Sequence, residues 1–150
     1  MPNKLYKIYL DFDGTCTEFD YPQIGQANFG CIEVIEKLQQ AGHTIILNTY
    51  RANCQDGSLE EAIEWFESAW NYLADEKRKA KKDLKLKLPF ECTSYKCDPG
   101  YWDWDYFDAD NIIFIDDVCI GIPLKKCCEI EGYMVDWDAL DKQFQERNVY

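Results

Sequence analysis

The chain has 150 residues and a formal net charge of −12, with 47% hydrophobic and 29% charged residues. This composition is typical of a packed globular protein and excludes a disordered or fibrous chain, and its length predicts a single domain over residues 1–150. The negative charge disfavours nonspecific binding to nucleic acid or to an anionic membrane. No apolar stretch has the length of a membrane span and no secretion signal is evident, so we expect a cytoplasmic protein without a membrane partner.

A β-α-β unit is predicted at the start of the chain. The apolar run Leu5–Leu10 predicts a buried strand, and Thr44–Leu47 predicts a second one. Between them, apolar residues at helical spacing predict a helix from about Phe29 to Gln40, with Asn28 as its N-cap. A right-handed connection makes the two strands parallel, so their carboxyl ends lie at the same edge of the sheet.

The remaining elements continue this alternation. A helix is predicted from Ser58 to near Asp83. Further strands are predicted over Leu88–Tyr95, Asn111–Ile115 and Tyr133–Val135, and a last helix is predicted from about Trp137 to Glu146. The segment Asp98–Asp110 mixes aromatics and aspartates and predicts a loop or a single irregular helical turn. Its role is either that of an acidic surface loop or that of a lid or substrate contact. The expected fold class is α/β, a Rossmann-like three-layer domain with a parallel sheet between helices.

One short segment concentrates the positive charge of the chain. It supplies seven of the sixteen basic residues: Lys77, Arg78, Lys79, Lys81, Lys82, Lys85 and Lys87. A solvated helix face is the favoured interpretation, and contact with the phosphates of a nucleic acid is the alternative.

The eight cysteines and the single histidine form no strong reactive pattern. The cysteines are scattered without a C-x-x-C pair, which favours buried or half-buried thiols over a disulfide framework. His43 follows Gly42 in a predicted turn, where a packed or exposed structural role is favoured. The spacings are poor for the alternative of a thiolate zinc site, whose four candidate ligands are Cys92, Cys97, Cys127 and Cys128.

Carboxylates follow two of the predicted buried strands directly. Asp11 and Asp13 lie in the string DFDGT, where Gly14 lets the chain turn away. Carboxylates this close repel each other unless a cation lies between them, and a hard divalent ion such as Mg²⁺ is the natural candidate. The alternative is a strand end at which Asp11 and Asp13 merely cap a loop. The strand predicted to end at residue 115 is followed by Asp116 and Asp117, which adds oxygen ligands at the same edge.

Polar groups also follow the second predicted strand. Asn48, Thr49 and Arg51 come directly after it, beside the first pair of carboxylates. The Thr49 hydroxyl can donate to a phosphate oxygen, and the Arg51 guanidinium can add a charge-assisted fork. The alternative for Thr49 is a β-branched residue that merely ends a strand.

These motifs together resemble those of the haloacid dehalogenase-like (HAD) superfamily of phosphohydrolases, in particular its short, nearly capless members. DFDGT is similar to the first motif, Thr49 in Thr49-x-Arg51 to the second, and Asp116-Asp117 to the fourth. The string YPQIG at Tyr21–Gly25 and the Gly-Ile-Pro string at Gly121–Pro123 match the short members as well. The resemblance covers nearly the whole chain.

The resemblance implies a Mg²⁺-dependent phosphomonoesterase with an open active site. Asp11 would attack phosphorus and form an aspartyl-phosphate, and Asp13 would act as general acid and base. Asp11, the Asp13 backbone carbonyl and Asp116 would hold the metal, with Asp117 as a further ligand or a partner of one. Thr49 would act in catalysis, and the phosphorylated substrate would be bound by Gly14, Thr15, Asn48 and Arg51.

The third motif of the superfamily is a basic residue, and in the short members it lies just before the last catalytic strand. Tyr106–Asp110 contains no basic residue, so Lys96 is the best substitute and Arg51 the next. Losing such a contact typically costs about 10²-fold or more in rate. Two alternatives therefore accompany the phosphatase: a non-catalytic HAD-like module that binds metal and phosphate, and a nucleic-acid end-processing phosphatase that uses the basic segment.

Overall fold

The structure of the protein is a computed structural model that describes residues 4–77, 86–87, 105–109 and 111–150. Its strands are β1 (Lys7–Leu10), β2 (Thr44–Leu47), β3 (Leu86–Lys87), β4 (Phe107–Ala109), β5 (Ile112–Ile115), β6 (Leu124–Lys126) and β7 (Tyr133–Val135). Its helices are α1 (Cys31–Gln40), α2 (Arg51–Cys54), α3 (Ser58–Lys77) and α4 (Trp137–Glu146).

The central sheet has the strand order β3-β2-β1-β5-β4. Strands β3, β2, β1 and β5 run parallel, and β4 lies antiparallel to β5 at the edge. Leu10 is level with both Leu47 and Ile115, so β1, β2 and β5 end at the same height. The segments that follow these three strands therefore meet at one edge, and the predicted α/β class with a parallel sheet is confirmed.

The three long helices lie on one face of this sheet. Helix α1 packs against both α3 and α4, which places the three helices on the same side of the sheet. Ile8, Leu10 and Leu47 point to this side and are fully buried, whereas Tyr9 and Ile46 alternate with them and are half-buried. The described residues thus form a sheet with one helical layer, and the second helical layer of the predicted three-layer domain is not among them.

Most predicted elements are present, with shifted ends. Strands β2 and β7 and helix α4 have the predicted bounds, and β1 and β5 are shorter than predicted. Strand β4 lies inside the segment predicted as a loop, and β6, which forms an antiparallel pair with β7, was not predicted. The predicted strand Leu88–Tyr95, the basic residues from Arg78 to Lys85 and residues 98–104 lie outside the described residues.

The predicted N-cap of α1 is wrong. The helix begins at Cys31 after Gly30, whose φ of 91° is a left-handed conformation that glycine adopts readily. The Asn28 side-chain amide instead donates to the backbone carbonyls of Thr15 and Val135, at 2.8 and 2.7 Å. Asn28 therefore joins the turn after β1 to the end of β7.

The described cysteines are free thiols, as predicted, but Cys54 and Cys128 are exposed rather than buried or half-buried. Cys16, Cys31 and Cys119 are buried, and Cys127 is half-buried. Two of the four cysteines of the alternative zinc site, at positions 92 and 97, lie outside the described residues. None of the helices in the described part of the chain has both the length and the apolarity that a membrane crossing needs.

His43 is packed rather than exposed. The Tyr6 backbone N–H donates to Nδ1 at 3.0 Å, so Nδ1 carries no hydrogen and Nε2–H donates to the Val149 carbonyl at 2.5 Å. The neutral ring therefore connects the start of the sheet to the C-terminal segment. Burial lowers the pKa of His43 from its usual value, because a charged ring would be poorly solvated there.

We expect His43→Gln to reduce the loss of stability on acidification. Because the folded-state pKa of His43 is lowered, its contribution to stability is present above the pKa of an unfolded histidine, about 6.5, and is lost as the pH falls through the folded-state pKa. The variant should be about 1–3 kcal/mol less stable at pH 7.5, where a buried hydrogen bond is lost. Urea unfolding of the native protein and of His43→Gln at pH 7.5 and 5.5 measures the free energy of unfolding. If both proteins lose the same free energy of unfolding between the two pH values, His43 is not the group responsible.

Candidate metal and phosphate site

Three aspartates form an acidic cluster at the carboxyl edge of the sheet. Each of Asp11, Asp116 and Asp117 offers a carboxylate oxygen that lies within 4.8 Å of the others. Asp11 follows β1 directly and Asp116 follows β5, and these strands are adjacent and level, so the fold brings the carboxylates together. Asp11 and Asp116 are buried and Asp117 is half-buried.

The acidic cluster is electrostatically crowded. Burial, with the neighbouring charges of Asp11 and Asp116, raises the pKa of Asp117 to about 8. A carboxylic acid that keeps its proton near neutral pH shows that three anions cannot share this space without compensation. A cation in the cluster would supply that compensation.

The backbone around the acidic cluster leaves space for carboxylates. A Cβ on Gly14 would lie 2.6 Å from Oδ2 of Asp117, and the residue has a φ of 81°. The Thr15 hydroxyl donates to Oδ2 of Asp11 at 2.9 Å and fixes the orientation of that carboxylate. A set of carboxylate oxygens in a fixed arrangement fits a hard divalent cation. The predicted roles of Asp11, Asp116 and Asp117 as metal ligands therefore agree with their placement.

The turn after β1 is held by the C-terminal part of the chain. The Trp137 indole N–H donates to the Thr15 carbonyl at 2.8 Å, and the Val135 backbone N–H donates to the Gly14 carbonyl at 3.2 Å. With the amide of Asn28, these groups fix the loop that carries Asp11 and its neighbours. Sequence reasoning missed both Asn28 and Trp137 as supports, because neither carries a local signal for a partner more than a hundred residues away.

Asp13 is not part of the acidic cluster and forms an ion pair with Arg51. Arg51 Nε lies 2.8 Å from Asp13 Oδ2, and Nη2 lies 2.8 Å from Oδ1. Both carboxylate oxygens of Asp13 therefore accept from the same guanidinium. The Asp13 side chain is not one of the clustered carboxylates, and the role predicted for its backbone carbonyl stays a prediction.

Arg51 is fully buried, and its remaining donors contact backbone carbonyls. Nη2 donates to the Gln23 carbonyl at 2.9 Å, and Nη1 donates to the Ser58 carbonyl at 3.3 Å. The guanidinium also lies 5.2 Å from the ring centroids of both Phe12 and Tyr21. Although burial opposes its charge, the hydrogen bonds and charge of Asp13 raise the pKa of Arg51 above its usual value. This geometry does not support the predicted role of Arg51 in binding phosphate, because its donors are engaged within the protein.

The other predicted site residues lie near the acidic cluster or outside the described residues. Asn48 and Thr49 are buried after β2; the Asn48 backbone N–H donates to the Leu10 carbonyl, and Thr49 Oγ1 accepts from the Arg51 backbone N–H at 3.1 Å. An oxygen that accepts in this way keeps its own hydrogen for donation. Lys96, the predicted substitute for the third-motif lysine, lies outside the described residues.

No protein-family model matches the chain, and no curated protein does. Among solved structures, the chain is similar to a conserved protein coded by a locus from Bacteroides thetaiotaomicron. The two share 25% sequence identity over 98% of each chain, with a TM-score of 0.57. The similarity supports the α/β fold of the described residues.

We expect divalent metal binding to strengthen as the pH is raised toward about 8 and to level off above it. The metal displaces the proton held by Asp117, whose pKa is raised to about 8 by burial and by Asp11 and Asp116. In the presence of chelator, the stability of the metal-free protein has the opposite pH dependence. The protonated Asp117 carboxyl contributes fully to stability below the pKa of an unfolded aspartate, and this contribution is lost as the pH rises through about 8.

Titration calorimetry in buffers of different ionisation enthalpy measures the proton released on binding. Asp117→Asn should abolish the release and weaken binding at least about tenfold. Asp138→Asn, at an exposed aspartate of α4, is the matched control and should behave as the native protein. Proton release that persists in Asp117→Asn would contradict the assignment.

We expect Gly14→Ala to weaken metal binding and to destabilise the protein. The new Cβ would meet the Asp117 carboxylate at 2.6 Å and would also occupy a backbone with a φ of 81°. Gly57→Ala is the matched control, since Gly57 has a φ of 87° and a Cβ there meets nothing within 4 Å.

Thermal and urea unfolding should give a cost of about 1–2 kcal/mol for Gly57→Ala, from backbone strain alone, and a larger cost for Gly14→Ala. Only Gly14→Ala should lose metal affinity. Equal effects of the two substitutions on both properties would show that Gly14 does not shape the acidic cluster.

Proposed function

We propose that this protein is a HAD-like, Mg²⁺-dependent phosphohydrolase that cleaves phosphomonoesters through Asp11. The observation that carries the proposal is the acidic cluster of Asp11, Asp116 and Asp117 at the carboxyl edge of a parallel sheet. In α/β proteins this edge is where ligands bind. A buried set of anions is costly to stability unless it serves to bind a cation.

Asp11 is the nucleophile in this proposal. Its Oδ2 accepts from the Thr15 hydroxyl, which orients the carboxylate so that its other oxygen can attack phosphorus. Thr49 follows the neighbouring strand, where its hydroxyl hydrogen can be donated to a phosphate oxygen. Attack forms an aspartyl-phosphate, and a water molecule then hydrolyses it.

Asp11, Asp116 and Asp117 would hold the Mg²⁺ ion. The bound ion supplies charge neutralisation between the anionic nucleophile and the anionic phosphate. Carboxylate oxygens are hard ligands of the kind that Mg²⁺ prefers, which supports this ion over softer transition metals. The Asp13 backbone carbonyl is a further candidate ligand.

A non-catalytic module that binds metal and phosphate is the second candidate. The engagement of Arg51 with Asp13 and with backbone carbonyls favours it, because that guanidinium is then not available to stabilise a transition state. The catalytic proposal therefore needs another basic side chain to contact the phosphate, and Lys96 is the candidate. Processing of nucleic-acid ends has no comparable support, since most of the basic segment lies outside the described residues.

Phosphate release from a panel of phosphorylated compounds tests the proposal. We expect turnover with Mg²⁺ that is lost in chelator and falls at least about 10³-fold in Asp11→Asn, because the nucleophile is removed. Asp138→Asn is the control and should retain full activity. Lys96→Ala tests whether Lys96 supplies the basic side chain that the third motif lacks. Metal binding without turnover above the level of Asp11→Asn would replace the phosphatase by the non-catalytic module.

A further inference from the structure

A cavity lies between the start of helix α1 and the middle of helix α3. Its volume is about 450 Å³, within the range of about 300–1,000 Å³ that is typical of small-molecule sites. Among the described residues that line this cavity, none belongs to the acidic cluster. We call it the α1–α3 cavity, and its lining includes Asn28, Phe29, Ile32, Trp65, Ala69 and Tyr72.

Three aromatic side chains line the α1–α3 cavity, and two of them are exposed. Phe29 is 80% exposed and Tyr72 is 68% exposed, the two highest fractions for a large apolar side chain in the described part of the chain. Trp65 is half-buried, and its indole packs edge-on against the rings of Phe12 and Phe66 at centroid distances of 5.4 and 5.1 Å. Exposed apolar surface that is concentrated at one cavity marks a binding site for an apolar group.

Asn28 gives the cavity a buried hydrogen-bond acceptor. The residue lines the cavity and is only 2% exposed. Its Nδ2 donates to the carbonyls of Thr15 and Val135, which fixes the orientation of the amide. Its Oδ1 is buried and accepts no hydrogen bond from the described residues, and helix α1 has no side-chain cap that would use this oxygen. A buried acceptor without a partner is costly, so a donor from a ligand would stabilise it.

We propose that the α1–α3 cavity binds a neutral aromatic molecule that carries one N–H or O–H group. The ring of the ligand packs against Phe29, Trp65 and Tyr72, because aromatic rings pair favourably in edge-to-face or offset geometry. The N–H or O–H group donates to Asn28 Oδ1, which then has the partner that the protein does not supply.

The charges around the cavity favour a neutral ligand over a charged one. Glu33 lines the cavity and is exposed, and neither lysine nor arginine occurs among the described lining residues, so an anionic ligand would be repelled. A cationic group beside Asn28 would face the N-terminal end of α1, where the helix dipole places partial positive charge. A neutral ligand avoids both costs.

The cavity is separate from the proposed metal site but contacts the supports of the same loop. Asn28 joins the turn after β1 to the end of β7. Trp65 packs on Phe12, which lies between Asp11 and Asp13 in the chain. Binding in the cavity needs neither a metal nor catalysis, so it is independent of the proposed phosphohydrolase function.

Isothermal titration calorimetry of the full chain with indole and with benzofuran tests the proposal. The two molecules have almost the same shape, but benzofuran carries an oxygen acceptor where indole carries an N–H donor. We expect indole to bind saturably, with one molecule per chain. Benzofuran should bind about tenfold more weakly, because it cannot donate to Asn28 Oδ1.

Variants of helix α3 locate the site. Ala69→Leu should weaken indole binding at least about tenfold, because the longer side chain would fill part of the cavity. Ser68→Leu, at the neighbouring exposed position, is the matched control and should bind indole as the native protein does. Tyr72→Ala, at an exposed side chain whose loss spares the core, should weaken binding about fivefold. Tyr133→Ala, at a tyrosine of β7 that is 59% exposed, is its control.

The possible results separate the parts of the proposal. The absence of saturable indole binding with a Kd below about 1 mM would overturn the site. Equal affinities for indole and benzofuran would overturn the role of Asn28 as the acceptor. Indole binding that is unchanged in both Ala69→Leu and Tyr72→Ala would place the ligand elsewhere on the protein and would also overturn the site.

Discussion

A buried guanidinium determines how the loops of this site are arranged. Arg51 is fully enclosed, and an enclosed positive charge is tolerated only when its donors are paired. Its partners come from three separate segments: Asp13 after β1, Gln23 in the following loop and Ser58 at the start of α3. Each of these segments is therefore constrained to approach α2, and the loops after β1 and β2 are held together.

The acidic cluster imposes the opposite demand. Asp11, Asp116 and Asp117 are brought together by strands that end at the same height, and their charges oppose the packing that places them there. The fold tolerates this arrangement because hydrophobic burial on the helical face of the sheet is extensive, with residues such as Ile8, Leu10 and Leu47 fully enclosed. The positive charge of Arg51 is paired within the protein, whereas the negative charge of the acidic cluster would be compensated by a bound cation.

The sequence predicts the parallel core well because its signals are local. Apolar runs marked β1, β2 and β5, and the carboxylates that follow β1 and β5 could be placed at one edge from topology alone. The role of Arg51 could not be predicted, because its partners Gln23 and Ser58 contribute backbone carbonyls, which carry no sequence signal. A Thr-x-Arg pattern after a strand fits a phosphate ligand and a structural ion pair equally well.

Asn28 and β6 are two further features that could not be predicted from local sequence signals. Asn28 has the residue type of an N-cap, but two carbonyls distant in the chain bind its amide instead. Strand β6 has the sequence Leu124–Lys126 with both ends exposed, so it lacks the apolar alternation by which a strand is recognised. The hydrogen bonds of Asn28 reach distant segments of the chain, and β6 forms through its antiparallel pairing with β7.

The supports of the turn after β1 also set the order in which the molecule can be completed. Thr15 lies near the start of the chain, and its carbonyl is held by Trp137, a separation of 122 residues. The Gly14 carbonyl similarly accepts from the Val135 backbone N–H, and His43 donates to the Val149 carbonyl. During synthesis the first strand leaves the ribosome early, but the loop that carries Asp11 gains these contacts only when the last strand and helix have emerged. Asp11 is therefore among the first residues to be made, and the loop that carries it is among the last to gain its supporting contacts.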